Sequence, residues 1–401
     1  MKYVILCGDG MGDYPVPDLG HRTILQAAHI PNMRRIAAAG EVRMVNTVPP
    51  ELPPGSDVAN LGLLGYDARK NYTGRAPIEA AGAGIPMAAD DVALRCNLVT
   101  VAAGAMDDYS AGHISTEEGH AIMADLEKQL GRKGLHFHGG VQYRHLLIWK
   151  DGPADITTQP PHDIAGKPVK QFLPAGKRQD EVRRLMEESR RILDNHPVNR
   201  ARIEAGKKPA TQIWLWGQGR AMTLPSYKDM FGLSGGVISA VDLVRGLGVM
   251  AGLDAPKIPG ATGFLDTDYD GKVKAALAIL EKHDFVYVHI EAPDECGHIG
   301  DAQKKKQAVE DFDKLVVGPV WCALESMKQP YRLLVGMDHR TPVSLRGHSR
   351  EPVPLARLDG PVDRTERETP FDESLNGGKA QANSWDWVAE LLKKQPITNN
   401  Q

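Results

Sequence analysis

The chain has 401 residues, of which 42% are hydrophobic and 25% are charged, and its formal net charge is −3. This length exceeds what one hydrophobic core usually serves, so two domains are expected. No basic stretch dominates, which argues against nucleic-acid binding, and no run of about 18 apolar residues predicts a membrane span. The four scattered cysteines show no metal-type pairing and predict a reduced, cytoplasmic protein without disulfides.

The N-terminal segment reads as the start of an α/β core. A buried strand is predicted over Tyr3–Cys7, a helix over Pro31–Ala39 and a second strand over Val42–Val48. A turn rich in proline and glycine then leads into Ser56, which is expected near the N-terminus of a helix that runs towards Leu64. The opening apolar run is too short for a signal peptide, whose apolar region needs about 7–15 residues.

The middle of the chain, residues 91–205, differs in character and is predicted to be an inserted α/β cap domain. The flanking residues 1–90 and 206–401 would then form the core. The cap is rich in arginine and histidine, and its predicted elements are strands over Ala93–Ala102 and Val141–Lys150 and helices over Thr116–Leu130 and Asp180–Asn195.

The last part of the chain alternates between helices and strands. A strand over Ile213–Trp216 followed by a glycine loop, and a helix over Gly235–Leu253, are expected before this alternation begins. Alternation predicts a parallel-rich sheet with helices on both faces, and ligands of such sheets bind at the carboxyl ends of the strands. The alternating elements are a helix Lys272–Lys282, a strand Phe285–Ile290, a helix Lys304–Glu325 and a strand Arg332–Gly336.

Three polar clusters follow predicted strands and carry metal-type side chains. Carboxylates combined with imidazoles suit Mn²⁺ or Zn²⁺, whereas Ca²⁺ prefers oxygen ligands alone. One pair of these side chains is spaced i and i+4, so a helical turn would place both on one face. A single aspartate after a strand is more often a helix cap or turn former, so the hypothesis depends on the combination. The six residues are Asp9, Asp294, His298, Asp338, His339 and His348.

Ser56 is the candidate nucleophile. A serine hydroxyl is weakly nucleophilic unless its proton is removed, and a divalent cation can promote that loss. A helix N-terminus also favours a phosphate group. Without its context, Ser56 would be interpreted as the N-cap of the helix, and one serine can be both N-cap and nucleophile.

The order of motifs along the chain resembles the cofactor-independent phosphoglycerate mutases of the archaeal type, within the alkaline-phosphatase superfamily. The resemblance extends from Gly8 to Ser349 and therefore covers most of the chain. The segments that carry it are Gly8–Asp13, Pro53–Leu61, Leu64–Asp67, Tyr72–Arg75, Asp108–His113, Tyr143–His145, Pro259–Gly263, Asp294–His298, Asp338–His339 and Gly347–Ser349.

The resemblance implies a fold and a set of site residues. The fold would be an alkaline-phosphatase-like core, and Ser56 would be the phosphorylated nucleophile. Two divalent metal ions would be bound, Mn²⁺ or Zn²⁺, with Mg²⁺ and Co²⁺ as further candidates. One ion would be held by Asp9, Ser56, Asp338 and His339, and the other by Asp294, His298 and His348.

The resemblance also implies substrate contacts. His113, Arg144 and Asp108 would bind substrate from the cap domain, and Arg75 is a further candidate. Arginine suits phosphate and carboxylate groups because it donates two parallel hydrogen bonds. In the archaeal enzymes a lysine commonly lies in the region that matches Gly235–Leu253, where this chain has Arg245, and the glycine loop that ends at Arg220 also differs. Arg245 and Arg220 are therefore further candidate substrate contacts, although arginine and lysine bind phosphate with different geometry.

The leading hypothesis is a mutase that interconverts 3-phosphoglycerate and 2-phosphoglycerate through a phosphoserine, without 2,3-bisphosphoglycerate. The segment Glu291–His298 is closest to a bacterial branch proposed to act as homoserine kinase, so a kinase on the same site is one alternative. A metal-dependent phosphatase and a catalytically silent binding protein are the others. The expected partner is a small phosphorylated substrate, not a nucleic acid or a membrane, and the oligomeric state stays open.

Overall fold

A computed structural model describes residues 1–362 and 367–393 of the chain. The chain divides into two compact units, one formed by Met1–Tyr72 with Leu224–Gln401 and the other by Thr73–Thr223. In sequence, the second unit extends beyond both ends of the predicted cap, residues 91–205. The difference arises because a helix that precedes residue 91 packs on strands of the second unit, and one of those strands continues to Arg220.

The strands are numbered in chain order. They are β1 Lys2–Gly8, β2 Glu41–Asn46, β3 Asp91–Ala102, β4 Ala105–Asp108, β5 Leu135–His138, β6 Arg144–Lys150, β7 Ile156–Thr157, β8 Ala175–Gly176, β9 Gln212–Arg220, β10 Gly235–Ile238, β11 Phe285–Ile290, β12 Tyr331–Gly336, β13 Val353–Gly360 and β14 Ala382–Asn383.

The α-helices follow the same numbering. They are α1 Ile24–Ala27, α2 Pro31–Ala39, α3 Ser56–Leu63, α4 Ala68–Asn71, α5 Arg75–Gly82, α6 Thr116–Leu130, α7 Gln179–Leu193, α8 Pro197–Glu204, α9 Tyr227–Phe231, α10 Asp242–Met250, α11 Tyr269–Lys282, α12 Ala292–Ile299, α13 Ala302–Phe312, α14 Gly318–Ser326 and α15 Ser384–Leu392. Short 3₁₀ turns lie at Pro17–Leu19, Pro161–Ile164, Val169–Phe172 and Leu375–Gly378.

The first unit is built on a seven-stranded sheet in the described part of the chain, in the order β10-β11-β1-β12-β13-β2-β14. Strands β10, β11, β1 and β12 run parallel, and β13 is antiparallel to both β12 and β2. The central strands are almost fully buried apolar runs, as expected for parallel strands covered by helices on both faces. The predicted α/β class with a parallel-rich sheet is confirmed.

The second unit has an antiparallel sheet in the order β4-β3-β6-β5, and β9 also pairs with β3. Side chains of β3 alternate between two faces. Val92, Leu94 and Cys96 enter the larger core of this unit, while Ala93 packs in a smaller cluster with Ala76 of α5. Helix α6 begins with a capping box between Ser115 and Glu118, as such sequences favour.

Two predicted elements are wrong in detail. The segment Gly235–Leu253 is not one helix, because its first residues form β10 beside β11 and only Asp242–Met250 is helical. The glycine loop after Ile213–Trp216 is instead part of β9, which continues to Arg220. The predicted helix Lys304–Glu325 is realised as α13 and α14, joined by a π-helical turn. None of the described helices combines the length and the hydropathy needed to cross a bilayer.

Candidate active site

Three neighbouring strands of the first unit deliver polar side chains to one edge of the sheet. Asp9 follows β1 directly, Glu291 follows β11, and Asp338 comes shortly after β12. Because β11, β1 and β12 are adjacent and parallel, their carboxyl ends meet at the same edge. The predicted convergence of these segments is therefore present in the structure.

Ser56 lies within this convergence. It is the first residue of α3, and Gly55 occupies the N-cap position, so Ser56 is not the N-cap that its sequence context suggested. The hydroxyl oxygen lies 3.1 Å from His339 Nε2 and 3.5 Å from Asp9 Oδ2. Ser56 is buried, with 7% relative exposure.

Asp9, Asp338 and His339 form the first predicted ligand set around Ser56. His339 Nε2 lies 3.4 Å from Asp9 Oδ1 and 3.5 Å from Asp338 Oδ2. Asp338 is fixed by the backbone N–H of Gly10 at 3.1 Å and by Asn60 Nδ2 at 2.8 Å. Gly10 has a positive φ of 61°, and a Cβ there would meet Asp294 Oδ1 at 2.6 Å, so the loop after β1 needs glycine at this position.

Asp294, His298 and His348 form the second predicted set. Asp294 and His298 lie one turn apart on α12, as the i and i+4 spacing predicted, with 3.1 Å between Asp294 Oδ2 and His298 Nε2. His348 Nε2 lies 3.5 Å from Asp294 Oδ1 and 3.1 Å from His298 Nε2. Because His298 Nδ1 is 3.1 Å from the Arg346 carbonyl oxygen, it can donate there and leave the Nε2 lone pair for a ligand.

The two sets form one continuous cluster. The rings of His339 and His348 have centroids 4.2 Å apart. Asp294, His339 and His348 also offer ligand atoms that lie within 4.8 Å of one another. His339 is therefore close to the ligand atoms of both sets.

The electrostatics of the cluster favour bound cations. Burial, with nearby Asp338 and Asp294, raises the pKa of Asp9 well above its usual range. Burial opposes ionisation of Asp294 as well, but His348 and His298 hold its pKa well below the usual value. Asp9 Oδ1 is buried and has no hydrogen-bond donor among the described residues. Several buried carboxylates beside imidazole nitrogens are a donor set that divalent cations fit.

The imidazoles differ in the direction of their pKa shifts. Burial lowers the pKa of His339 to about 4, so this ring is neutral and able to coordinate a metal. Burial also opposes the charged form of His298, yet the hydrogen bond and charge of Asp294 raise its pKa to about 9. A cation that binds beside His298 must therefore displace a proton near neutral pH.

The structure adds residues that the sequence analysis missed. His289 Nε2 lies 3.0 Å from Asp9 Oδ2, and Thr341 Oγ1 contacts both Asp294 Oδ1 and His339 Nδ1. Lys305 is fully buried, and its ammonium donates to Asp13 Oδ2 at 2.9 Å and to the carbonyl oxygens of Gly12 and Thr341 at 2.8 Å. This lysine thereby ties together the loops that follow β1 and β12.

An arginine cluster lies in the second unit. Glu79 accepts from Arg75 Nε at 3.0 Å and from Arg95 Nε at 2.8 Å. Burial lowers the pKa of Arg95 to about 10. The negative charge of Glu79 opposes this shift, and the positive charges of Arg75 and Arg144 add to it. Arg144 is exposed and lies 5.0 Å from the ring centre of Tyr143. Arg95 and Glu79 were absent from the sequence prediction.

The other candidate substrate residues have mainly local contacts. Asp108 accepts from the backbone N–H and hydroxyl of Ser110, and His113 follows this turn with a φ of 50°. Arg220 is exposed, and its nearest carboxylate oxygen, on Asp155, is 3.8 Å away. In the first unit, Arg245 donates to Asp242 Oδ1 at 2.6 Å and to the Ala255 carbonyl oxygen at 3.0 Å.

Comparisons with known proteins agree on one family. The family model for 2,3-bisphosphoglycerate-independent phosphoglycerate mutase matches residues 37–199. A protein of that name from Methanosarcina barkeri is 49% identical over 398 residues, covering 98% of this chain and all of the relative.

Two solved structures also match, each 26% identical and covering 98% of both chains. One is a protein from Pyrococcus horikoshii with a TM-score of 0.79, and the other is a cofactor-independent phosphoglycerate mutase from Thermoplasma acidophilum with a TM-score of 0.60. The identity to the Methanosarcina relative over nearly the full length of both chains shows that this chain belongs to the 2,3-bisphosphoglycerate-independent phosphoglycerate mutase family.

Proposed function

We propose that this chain interconverts 3-phosphoglycerate and 2-phosphoglycerate through a phosphoserine on Ser56, without 2,3-bisphosphoglycerate. The observation that carries this proposal is the position of the Ser56 hydroxyl, 3.1 Å from His339 Nε2 and 3.5 Å from Asp9 Oδ2 inside a cluster of carboxylates and imidazoles. The family name of the relatives supports the choice of phosphoglycerate as substrate.

The same cluster would hold two divalent ions, Mn²⁺ or Zn²⁺, with Mg²⁺ and Co²⁺ as further candidates. Asp9, Ser56, Asp338 and His339 would be the ligands of one ion, and Asp294, His298 and His348 those of the other. Bound cations would favour the ionised form of the serine hydroxyl and offset the charge of the phosphoryl oxygens.

The chain's own residues orient the nucleophile. Asn60 donates to the Ser56 carbonyl oxygen and to Asp338 Oδ2, both at 2.8 Å, so one amide fixes the backbone of the nucleophile and a ligating carboxylate together. The N-terminus of α3 at Ser56 presents backbone N–H groups that favour a phosphoryl group on this serine.

The reaction balances as two transfers. In the first, the bond between phosphorus and O3 of the substrate breaks, the bond to Ser56 Oγ forms, and the serine proton ends on O3. In the second, O2 of the glycerate attacks phosphorus and loses its proton, while Ser56 Oγ leaves and regains one. No external donor or acceptor of the phosphoryl group is needed.

We also propose that the arginine cluster of the second unit binds the carboxylate or phosphate of the substrate. Arg75 and Arg144 were predicted for this role, and Arg95 shares the carboxylate of Glu79 with Arg75. Guanidinium groups suit both anions because of their two parallel donors. His113, Asp108, Arg220 and Arg245 remain candidate substrate contacts.

The test is Ser56→Ala, assayed with Mn²⁺ and 3-phosphoglycerate in the absence of 2,3-bisphosphoglycerate. Formation of 2-phosphoglycerate should fall by at least about 10³-fold, because no other group can carry the phosphoryl intermediate. Mass spectrometry of quenched wild-type protein should locate a phosphoryl group on Ser56.

Ser326→Ala is the matched control, because within residues 1–362 and 367–393 the exposed Ser326 hydroxyl bonds only to the Cys322 carbonyl oxygen of its own helix. This variant should keep the wild-type rate. Full activity in Ser56→Ala, or release of free phosphate by the wild type without isomerisation, would contradict the proposal.

A further inference from the structure

Three consecutive residues of the second unit have a left-handed backbone conformation. The φ angles of Ala111, Gly112 and His113 are 50°, 64° and 50°. In this region a Cβ atom lies too close to the following carbonyl oxygen, so residues other than glycine adopt it rarely and normally one at a time. The left-handed turn Ala111–His113 contains two residues with a Cβ atom, and it therefore needs partners that hold it in place.

Hydrogen bonds to Ser110 hold the N–H side of the left-handed turn. Ser110 Oγ accepts from the His113 N–H at 3.1 Å, and the Ser110 carbonyl oxygen accepts from the Ile114 N–H at 3.2 Å. Ser110 is itself fixed by Asp108 at the end of β4. Asp108 Oδ1 accepts from the Ser110 N–H at 2.8 Å and from the Ser110 hydroxyl at 2.6 Å.

The guanidinium group of Arg202 on α8 holds the carbonyl side of the same turn. Its Nη2 donates to the carbonyl oxygens of Ala111 at 2.7 Å and Gly112 at 3.1 Å. Its Nη1 donates to Glu118 Oε2 at 2.6 Å, and its Nε donates to the Lys208 carbonyl oxygen at 2.9 Å. All three nitrogens of the fork are therefore bonded, and the side chain is 2% exposed.

A role in stability alone is a poor explanation for this arrangement. Burying a guanidinium group costs free energy that an ion pair offsets only in part, so a buried pair such as Arg202 with Glu118 is weak evidence for stabilisation. The left-handed turn adds a further cost, and backbone held in such conformations is concentrated at functional sites. The turn ends at His113, whose side chain is exposed and open to a ligand.

We propose that Arg202 is a positioning residue for substrate binding that acts through His113. By fixing the left-handed turn, Arg202 restricts the His113 imidazole to the orientation that donates to an anionic group of the substrate. A donor that is already fixed loses less conformational freedom when the ligand binds. The inference rests on the proposed function, in which His113 is a candidate substrate contact.

Calorimetric titration with 3-phosphoglycerate tests the proposal in Mn²⁺-saturated Ser56→Ala protein, which cannot form the phosphoserine. In this background His113→Ala should raise Kd about tenfold, because a hydrogen bond to a charged group is lost. Arg202→Lys should raise Kd by about threefold or more, because a single ammonium nitrogen cannot replace the fork and the imidazole must be ordered on binding. Adding Arg202→Lys to His113→Ala should have no further effect on Kd, because the residue through which Arg202 acts is already absent.

Arg183→Lys is the matched control. Arg183 is a partly buried arginine of the same unit, and its Nε donates instead to the Pro174 carbonyl oxygen at 2.8 Å. This variant should keep the Kd of its parent. A merely structural role of Arg202 predicts an equal rise in Kd with and without the His113 side chain, and that result would overturn the proposal, as would an unchanged Kd in Arg202→Lys.

Ser110→Ala decides the matter if Arg202→Lys does not fold, because it releases the same turn by removing the acceptor of the His113 N–H. Its effect on Kd should also disappear in His113→Ala, and an additive effect overturns the proposal. Mutase activity in the wild type together with additive effects on Kd overturns this inference alone. The expected pattern of Kd without mutase activity contradicts the proposed function alone, and a chain that does not bind 3-phosphoglycerate contradicts both.

Discussion

At the scale of single residues, Thr341 joins the two predicted ligand sets. It is fully buried, and its hydroxyl contacts Asp294 Oδ1 and lies 3.2 Å from His339 Nδ1. One hydroxyl can donate to the carboxylate and accept the Nδ1 proton of the imidazole. This arrangement leaves the Nε2 lone pair of His339 directed towards Ser56 Oγ. Thr341 is therefore a positioning residue that orients His339 beside the nucleophile.

Thr341→Val removes the hydroxyl and nearly preserves the volume. We expect the Mn²⁺ concentration for half-maximal activity to rise about 10- to 100-fold, because partners that orient metal ligands have effects of this size. The measurement is activity against free Mn²⁺. Thr100→Val, which removes a similarly buried hydroxyl bonded to the Pro209 carbonyl oxygen, should leave the curve unchanged. An unaltered curve for Thr341→Val would exclude the positioning role.

The residues that sequence reasoning missed are informative. Asp9, Asp294 and Asp338 were found because each follows a recognisable strand. Thr341 was not, because its role depends on contacts with Asp294, 47 positions away. His289 carried a readable signal, since it lies two residues from Glu291 and alternate residues of a strand share a face. An analysis of which face of the strand each residue occupies could have grouped His289 with Glu291.

At the scale of elements, β3 and α5 together build the arginine cluster. Arg95 lies on the face of β3 opposite Leu94 and Cys96, and Glu79 of α5 pairs with it at 2.8 Å. The alternation of β3 was visible in the sequence, but the pairing was not, because residues before 91 were assigned to the core. In the structure α5 belongs to the same compact unit as β3, and this brings Arg75 and Arg95 to the carboxylate of Glu79.

Arg144→Gln tests whether this cluster binds substrate. We expect KM for 3-phosphoglycerate to rise about tenfold or more, because a charge-assisted bond to the anion is lost, with the melting temperature unchanged since Arg144 is exposed. Steady-state kinetics and thermal melts measure the two quantities. Arg132→Gln is the control, because Arg132 is another exposed arginine of the second unit near an aromatic ring. Equal KM values in both variants would refute the assignment.

Short apolar segments limited the prediction of elements. The sequence predicts a helix over Gly235–Ile238 because small and apolar residues continue into a true helix, and short apolar runs suit either structure. The structure resolves the ambiguity by tertiary contact, since a Cβ at Gly235 would lie 2.1 Å from the Phe285 carbonyl oxygen of β11. Such close strand packing cannot be read from local propensity.

At the scale of the whole molecule, the regular alternation near the C-terminus was sufficient to predict a parallel-rich sheet. The exact strands Phe285–Ile290 and, within one residue, Arg332–Gly336 were confirmed. The antiparallel direction of β13 and its place between β12 and β2 were not predicted. Strand order depends on pairings between distant segments, which carry no local pattern.

Bound metal should stabilise the protein more as pH rises. In the metal-free chain the pKa of His298 is raised to about 9 by Asp294 against burial, and that of Glu291 is raised to about 8 by burial and Asp294. Because its pKa is raised, protonated His298 stabilises the metal-free fold fully below about pH 6.5. This contribution is lost as pH rises through 9. The raised Glu291 pKa destabilises that fold increasingly above its ordinary 4.5.

We therefore expect the difference in melting temperature between Mn²⁺-loaded and EDTA-treated protein to widen from roughly pH 6 to pH 9, because fewer protons compete for the ligands. Thermal melts at several pH values provide the measurement, with K⁺ at matched ionic strength as control. A difference that stays constant or narrows over this range would contradict the assignment of His298 to a cation site.

The place of β1 in the sheet has a consequence for biosynthesis. β1 leaves the ribosome before both of its neighbours in the sheet, because β11 and β12 lie beyond residue 284. At roughly 5–20 residues per second, the nascent β1 stays without its permanent neighbours for a time on the order of tens of seconds. Meanwhile Thr73–Thr223, which is continuous in sequence and has its own core, emerges complete. We therefore expect the apolar strand β1 to need protection by chaperones during translation.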